Sequence, residues 1–333
     1  MKNYYIYTEI VNCGKIGKIA IDSFHKYHNY KIHIYGTKED FKWIEKNDNN
    51  IFIEVNHHII DGYKSGHIGT ALLWEDIIKN CPDDYLIHFD SDVIFRENII
   101  GDMIEKSKEY DLIGPIRNYT NNPYGFKKVS GQTDLCQTNI FLFNKKKISN
   151  KYIKETSRFL FIPFKKIIKL TLKESLRRIK WFIKNNIILQ KYNMNVFTQM
   201  IHGTYNPFTF PTIDFFDPVM FDMVMNGAKI YHLDFNEVGG CDYYGKRDNQ
   251  YKEINNFPTP YKLDFGSKLV HFSCVGSGMN FYNNKNATLN VGKNYVECAL
   301  DRYALYCKIF YNEQIPDIEL GKYKEILEIK NWY

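Results

Sequence analysis

At 333 residues and 39.6 kDa, with 44% hydrophobic and 25% charged residues, the chain has apolar surface for one large core or two fused ones, which excludes a disordered tail or a disulfide-stapled miniprotein. No window approaches the roughly 20 apolar residues of a membrane span, and Met1, Lys2 and Asn3 lead straight into the apolar run Tyr4–Tyr7 without a signal-peptide core, so a cytosol-like location is expected. The formal charge of +6 is unevenly spread: residues 151–191 hold twelve Lys or Arg against Glu155 and Glu174, a local +10 that leaves the rest of the chain at −4.

The first half alternates short apolar strands with amphipathic helices, the pattern of an α/β layer fold with a largely parallel sheet. Tyr4 to Ile10 reads as a strand, and after the turn Asn12-Cys13-Gly14 the residues Ile16, Ile19, Ala20, Phe24 and Tyr27 mark one face of a helix. Strands are expected at 31–35 and 51–55, then a loop through Asp61, Gly62 and Gly66. A helix follows, carrying Ile68, Ala71, Leu72, Trp74 and Ile78 and closed by Asn80, Cys81 and Pro82. Tyr85 to Phe89, apolar on both faces apart from His88, has the character of a central strand. It runs directly into Asp90-Ser91-Asp92. Beyond lie a helix near 98–109, the segment Asp111 to Arg117, a polar loop, and a strand at Gln137 to Phe143. After the basic stretch come a strand at Lys268 to Phe272 and helices near 293–312 and 317–330.

Within the basic stretch Phe164, Ile167, Ile168, Leu172, Leu176, Ile179, Phe182, Ile183 and Ile187 recur at helical spacing, and lysines and arginines fill the other faces. The segment 163–190 is therefore expected to be a basic amphipathic helix. It is either packed on the core with a solvated charged face or docked, peripherally, on an anionic membrane or polyanion. Nucleic acid is not expected as a partner, because the rest of the chain is acidic and carries no base-reading motif. Seven cysteines, an odd number without metal-type pairing, fit reduced thiols. Aromatic content of 16% follows the Asn-, Ile- and Lys-rich bias of the whole sequence and is not read as sugar stacking.

In open α/β sheets ligands bind at the carboxyl ends of strands, where Asp90 and Asp92 lie. Two hard carboxylates on one tight turn suit a divalent cation such as Mn²⁺ or Mg²⁺ that also takes phosphate oxygens. Several stretches around them resemble the GT-A class of nucleotide-sugar glycosyltransferases. Tyr4 to Tyr35 looks like that class's first strand, helix and second strand. Gly66 to Asp92, GHIGTALLWEDIIKNCPDDYLIHFDSD, resembles its run from a sugar-nucleotide loop through a helix to the metal-binding Asp-X-Asp. Cys136-Gln137-Thr138-Asn139 before Ile140–Phe143 looks like the strand whose polar residues face the donor sugar. Thr212 to Leu233, TIDFFDPVMFDMVMNGAKIYHL, resembles the acidic acceptor-side motif, and Leu269-Val270-His271-Phe272 with Gly276 and Gly278 resembles the histidine-bearing strand and loop of retaining, glycogenin-like members. The resemblance covers roughly 4–145 and 196–280 and matches no single subfamily.

It implies a GT-A, Rossmann-like α/β fold with a mixed, mostly parallel sheet. Residues 1–150 would form the nucleotide-sugar half, 151–192 a basic helical insertion, and 193–333 the acceptor half with C-terminal helices. It also implies transfer of a sugar from a nucleotide-diphosphate donor, a UDP-sugar first, to a glycan or lipid-linked acceptor, and leaves room for a homo-oligomer. By the same resemblance Asp92 is the direct metal ligand and Asp90 contacts ribose or metal. His271 is the third ligand or else a hydrogen-bonded histidine on a buried strand. Thr8 and Asn12 lie near base and ribose, and His67 and Thr70 near the donor sugar or phosphate. An inverting reaction needs a base, for which Asp217 is the first choice with Asp214 and Asp222 as rivals; a retaining one places Gln137 and Asn139 beside the anomeric carbon. The alternatives are an inactive GT-A-like membrane or scaffold protein and a sugar nucleotidyltransferase, whose Gly-rich phosphate cradle the loop Val11 to Lys15 lacks.

Overall fold

The computed structural model describes residues 3–63, 68–117, 135–148, 216, 219–220, 223–224, 226–238 and 264–271. In chain order these form β1 (Tyr4–Glu9), α1 (Gly14–Tyr27), β2 (Ile32–Gly36), α2 (Lys38–Phe41), β3 (Asn50–Glu54), α3 (His57–Tyr63), α4 (Ile68–Asn80), β4 (Tyr85–Phe89), β5 (Val93–Phe95), α5 (Ile100–Lys106), β6 (Leu112–Arg117), β7 (Leu135–Cys136), β8 (Ile140–Asn144), β9 (Ile230–Leu233), β10 (Asp264–Phe265) and β11 (Leu269–His271).

The main sheet runs β3-β2-β1-β4-β8-β6-β7, with β9 added beside β6; β5, β11 and β10 form a second, smaller sheet. β1, β2, β3 and β4 pair in parallel, β8 is antiparallel to both β4 and β6, and β9 returns parallel to β6. The α/β class with a mixed sheet is therefore as expected. Strand alternation explains the layers. Ile6 on β1 and Ile87 and Phe89 on β4 face α1, where they meet Ile16, Ile19 and Phe24; Tyr5, Tyr7 and Leu86 face the opposite way, against Trp74 and Ile77 of α4. On the first side Phe24 stacks on Phe89 at 5.2 Å and meets Phe95 edge-on at 5.5 Å. On the second, Trp74 is wholly buried between Phe141 and Phe216. Burial of each such side chain stabilises the fold by about 2–3 kcal/mol.

Two expectations need correction, and a segment read without an element type proves to be a strand. The loop expected through Asp61 and Gly62 is instead helix α3: Asn56 Oδ1 caps it by accepting the Ile59 amide at 3.0 Å, and Ile59, Gly62 and Tyr63 are buried. The segment 111–117 is a strand despite Pro115, which has no N–H to give; its carbonyl instead accepts the Gln137 amide at 2.8 Å. The strand expected from Gln137 begins only at Ile140, because Gln137, Thr138 and Asn139 form the turn between β7 and β8. The basic segment 163–190 and the C-terminal helices lie outside the described residues.

Helices α3 and α4 touch backbone to backbone. A Cβ on Gly69 would lie 2.5 Å from the Tyr63 amide nitrogen, and one on Gly62 would lie 2.9 Å from the Gly69 Cα. We expect Gly69→Ala to destabilise the protein by about 1–3 kcal/mol through overpacking, lowering the melting temperature by several degrees. A melting curve that matches the wild type would show that the two helices do not meet in this way.

Candidate metal centre

The chain leaves β1 toward β2 and β3 on one side, while β4 and its neighbours lie on the other, so the strand order reverses between β1 and β4. A crevice opens outside the carboxyl ends of strands at such a point. Glu9 ends β1 there, and Asp90 follows β4. The turn through Ser91 and Asp92 is held by the Asp90 amide donating to the Asn139 carbonyl at 2.8 Å, and by the Cys13 thiol donating to Ser91 Oγ at 3.3 Å. Ser91 thus faces the β1–α1 side and leaves the two carboxylates at the crevice.

The third component arrives from far along the chain. β5, which continues from the Asp-Ser-Asp turn, pairs antiparallel with β11 in a register that sets His271 opposite Val93. One ligand atom from each of Asp90, Asp92 and His271 lies within 4.8 Å of the others. His271 Nε2 is 3.5 Å from Asp92 Oδ1 and 3.6 Å from Asp90 Oδ2, longer than a normal hydrogen bond. Asp92 is buried, whereas the Asp90 side chain is 31% exposed and forms the mouth of the cluster.

Burial is the main force that pushes the Asp90 carboxyl up to about 7; His88 opposes it, Asp92 and Glu9 add to it, and His271 opposes it. Two carboxylates and one imidazole converging at this spacing are a donor set that suits Mn²⁺ or Mg²⁺. The residues present therefore fit a divalent cation.

Next to this cluster lies a network that the sequence did not reveal. His88, wholly buried in β4, donates from Nδ1 to the Thr138 carbonyl at 2.9 Å and from Nε2 to Glu9 Oε2 at 3.1 Å. Trp74 Nε1 donates to both Glu9 oxygens at 3.1 Å. In sequence the only sign was a single polar residue in an otherwise apolar central strand. Beside it, Asn139 is buried with both side-chain amide atoms unpartnered among the described residues. An unmet buried amide costs about 1–3 kcal/mol, which a polar partner from outside the described residues would recover. Gln137 is buried too, its Nε2 donating to the Ile116 carbonyl at 3.4 Å.

The amino end of α1 is closed to anions. The buried Asp40 carboxylate accepts the amides of Asn12 at 3.2 Å, Gly14 at 3.1 Å and Thr37 at 2.9 Å, and the Thr37 hydroxyl at 2.7 Å. Gly14 makes room for it, since a Cβ there would lie 2.6 Å from the Asp40 carbonyl oxygen. The helix dipole that binds phosphate in many α/β proteins is thus already satisfied by a carboxylate of the chain.

Of the other residues singled out in the sequence, Asn12 sits in the β1–α1 turn with φ +61. Thr8 is wholly buried on the α1 side of β1, its hydroxyl unpartnered among the described residues. Thr70 lies in the first turn of α4 beside the Tyr63 hydroxyl. His67, Asp214, Asp217 and Asp222 lie outside the described residues.

No protein-family model and no curated protein matches the chain. Among solved structures it aligns with the galactosyltransferase LgtC in complex with donor and acceptor sugar analogues at 16% identity and a TM-score of 0.35, over 46% of this chain and 64% of that one. It thus spans just under two thirds of that chain's length. Mouse xyloside xylosyltransferase 1 in its apo form aligns at 13% identity and a TM-score of 0.41, over 81% of this chain and 98% of the other. An active-site mutant of LgtC aligns at 11% identity and a TM-score of 0.43, over 97% and 95%.

Proposed function

We propose that the protein is a metal-dependent glycosyltransferase of GT-A type that takes a nucleotide-diphosphate sugar, a UDP-sugar first, and passes the sugar to a glycan or lipid-linked acceptor. The observation that carries this reading is the convergence of Asp90, Asp92 and His271 at the strand-order reversal, with ligand atoms within 4.8 Å of one another. The occupied end of α1 supports it: with Asp40 on the Asn12 and Gly14 amides, those amides are not open to a diphosphate, and its countercharge would come from the cation that Asp90, Asp92 and His271 would hold.

Asp92 and His271 would hold Mn²⁺ or Mg²⁺, with Asp90 at the mouth. When bound, the cation neutralises the charge that develops on the departing nucleoside diphosphate. The chain's own residues do the rest. The unpartnered Asn139 amide receives hydroxyls of the donor sugar, and the hydrogen bond from Gln137 to Ile116 fixes the wall beside it. In an inverting transfer Asp217 would take the acceptor hydroxyl proton; in a retaining one Gln137 and Asn139 would stand beside the anomeric carbon.

The test is a thermal-shift panel of UDP-, GDP-, CMP- and TDP-sugars with and without Mn²⁺. Mass action gives about 2.7 kcal/mol of added stability at a hundredfold excess over Kd. We expect one nucleotide sugar to raise the melting temperature only when Mn²⁺ is present. A flat response across the panel at millimolar ligand would remove the basis for the proposal.

A further inference from the structure

Glu9, His88 and Trp74 lie behind the carboxylate cluster, outside any cation's reach in the reading above. His88 is wholly buried and both of its ring nitrogens face acceptors, the Thr138 carbonyl at 2.9 Å and Glu9 Oε2 at 3.1 Å. Both ring nitrogens are thereby engaged, and the ring is held in one orientation. Its Nε2 also lies 3.7 Å from Asp90 Oδ1. The Glu9 side chain is only 14% exposed and is fixed from a third direction by Trp74 Nε1.

As packing alone this arrangement is hard to explain. The neighbours of His88 on β4, Leu86, Ile87 and Phe89, are all apolar and fully buried. Burying these polar groups costs desolvation that an apolar side chain would avoid, and the hydrogen bonds they make in return are directional. The connectivity shows which geometry they fix. His88 is tied to Thr138, and the next residue, Asn139, accepts the Asp90 amide at 2.8 Å. The ring also joins the end of β1 through Glu9, and Trp74 joins both to α4. The His88 ring therefore links the ends of β1 and β4 and the β7–β8 turn beside Asp90.

We infer that Glu9, His88 and Trp74 form a buried brace that positions Asp90, and with it the Gln137–Asn139 turn, for binding of the divalent cation. They are positioning residues that act through Asp90. The inference rests on the cluster of Asp90, Asp92 and His271 being a cation site.

Direct titration with Mn²⁺ alone, read by the electron paramagnetic resonance of the free ion, tests it on the full chain. The double variant Glu9→Gln/His88→Gln replaces the pair with neutral hydrogen-bonding side chains of similar length and leaves neither partner without the other. Removing partners that orient a metal ligand typically weakens metal binding about ten- to hundredfold. We expect the Mn²⁺ Kd to rise by about tenfold or more, with the far-ultraviolet circular dichroism of the wild type retained. A Kd within twofold of wild type in the folded double variant overturns the brace. Should that variant not fold, Trp74→Phe serves, since it keeps Glu9, His88 and most of the packing and removes only the indole N–H from Glu9. It is expected to raise the Kd about threefold, and an unchanged Kd overturns the brace. Wild type that binds Mn²⁺ no better than Asp92→Asn would overturn the cation site itself, an outcome distinct from a brace that fails beside an intact site.

Discussion

Asp92→Asn is expected to abolish the Mn²⁺-dependent response to nucleotide sugar and to lower turnover on the order of a thousandfold. Asp92 is the buried member of the cluster, 3.5 Å from His271 Nε2, and unlike Asp90 it has little access to water that could replace a lost contact. Asn keeps the shape and removes one negative charge, so the variant tests charge rather than packing. A cation's stabilisation of developing charge is worth several kcal/mol, and each 1.36 kcal/mol is tenfold in rate. The measurement is donor hydrolysis or transfer in Mn²⁺, with the melting curve of the metal-free variant as the control for folding. Retention of more than about a tenth of wild-type turnover would place the metal elsewhere.

The second large effect is on pH dependence. With its carboxyl raised from 3.8 to about 7 in the folded protein, chiefly by burial, Asp90 binds a proton in the folded state that it releases in the unfolded one between those values. Stability changes with pH in proportion to protons bound unfolded minus folded, which is negative in this window. The metal-free protein should therefore lose stability as pH rises from about 4 to 7, and Asp90→Asn should remove that part of the slope. Added Mn²⁺ competes with the same proton, so its apparent affinity should fall about tenfold per pH unit below 7 and level off above it. Melting curves and Mn²⁺ titrations at pH 5, 6, 7 and 8 decide the matter. A pH-independent Mn²⁺ affinity would contradict the shift.

Much of the scaffold was legible because it follows from local pattern. The Ile16, Ile19, Ala20, Phe24 stripe and the unbroken apolar run before Asp90 each point to one element and one burial state. What failed was legible only in three dimensions. Asp61 and Gly62 look like part of a loop, and α3 exists because Asn56 caps it and because Gly62 and Gly69 let two helices touch. Pro115 hides β6, which is a strand because β8 and β9 flank it.

The candidate site divides the same way. Asp90 and Asp92 stand one residue apart in the sequence and were visible. The place of His271 depends on the β5–β11 register, and that of Glu9, His88 and Trp74 on the parallel pairing of β1 with β4 and the packing of α4 over both. Pairings between distant segments leave no periodic trace.

The same long-range pairing bears on how the site comes into being during synthesis. β9 and β11 emerge long after the strands they join, β6 and β5. A nascent chain ending before residue 271 would have the Asp-Ser-Asp turn without its histidine. Non-local closure is slow because its entropy must be overcome before contacts reward it. Assembly of the carboxylate–histidine cluster is thus expected late in folding, and a cation held there would act as a crosslink between residues 92 and 271 that ties β11 to β5.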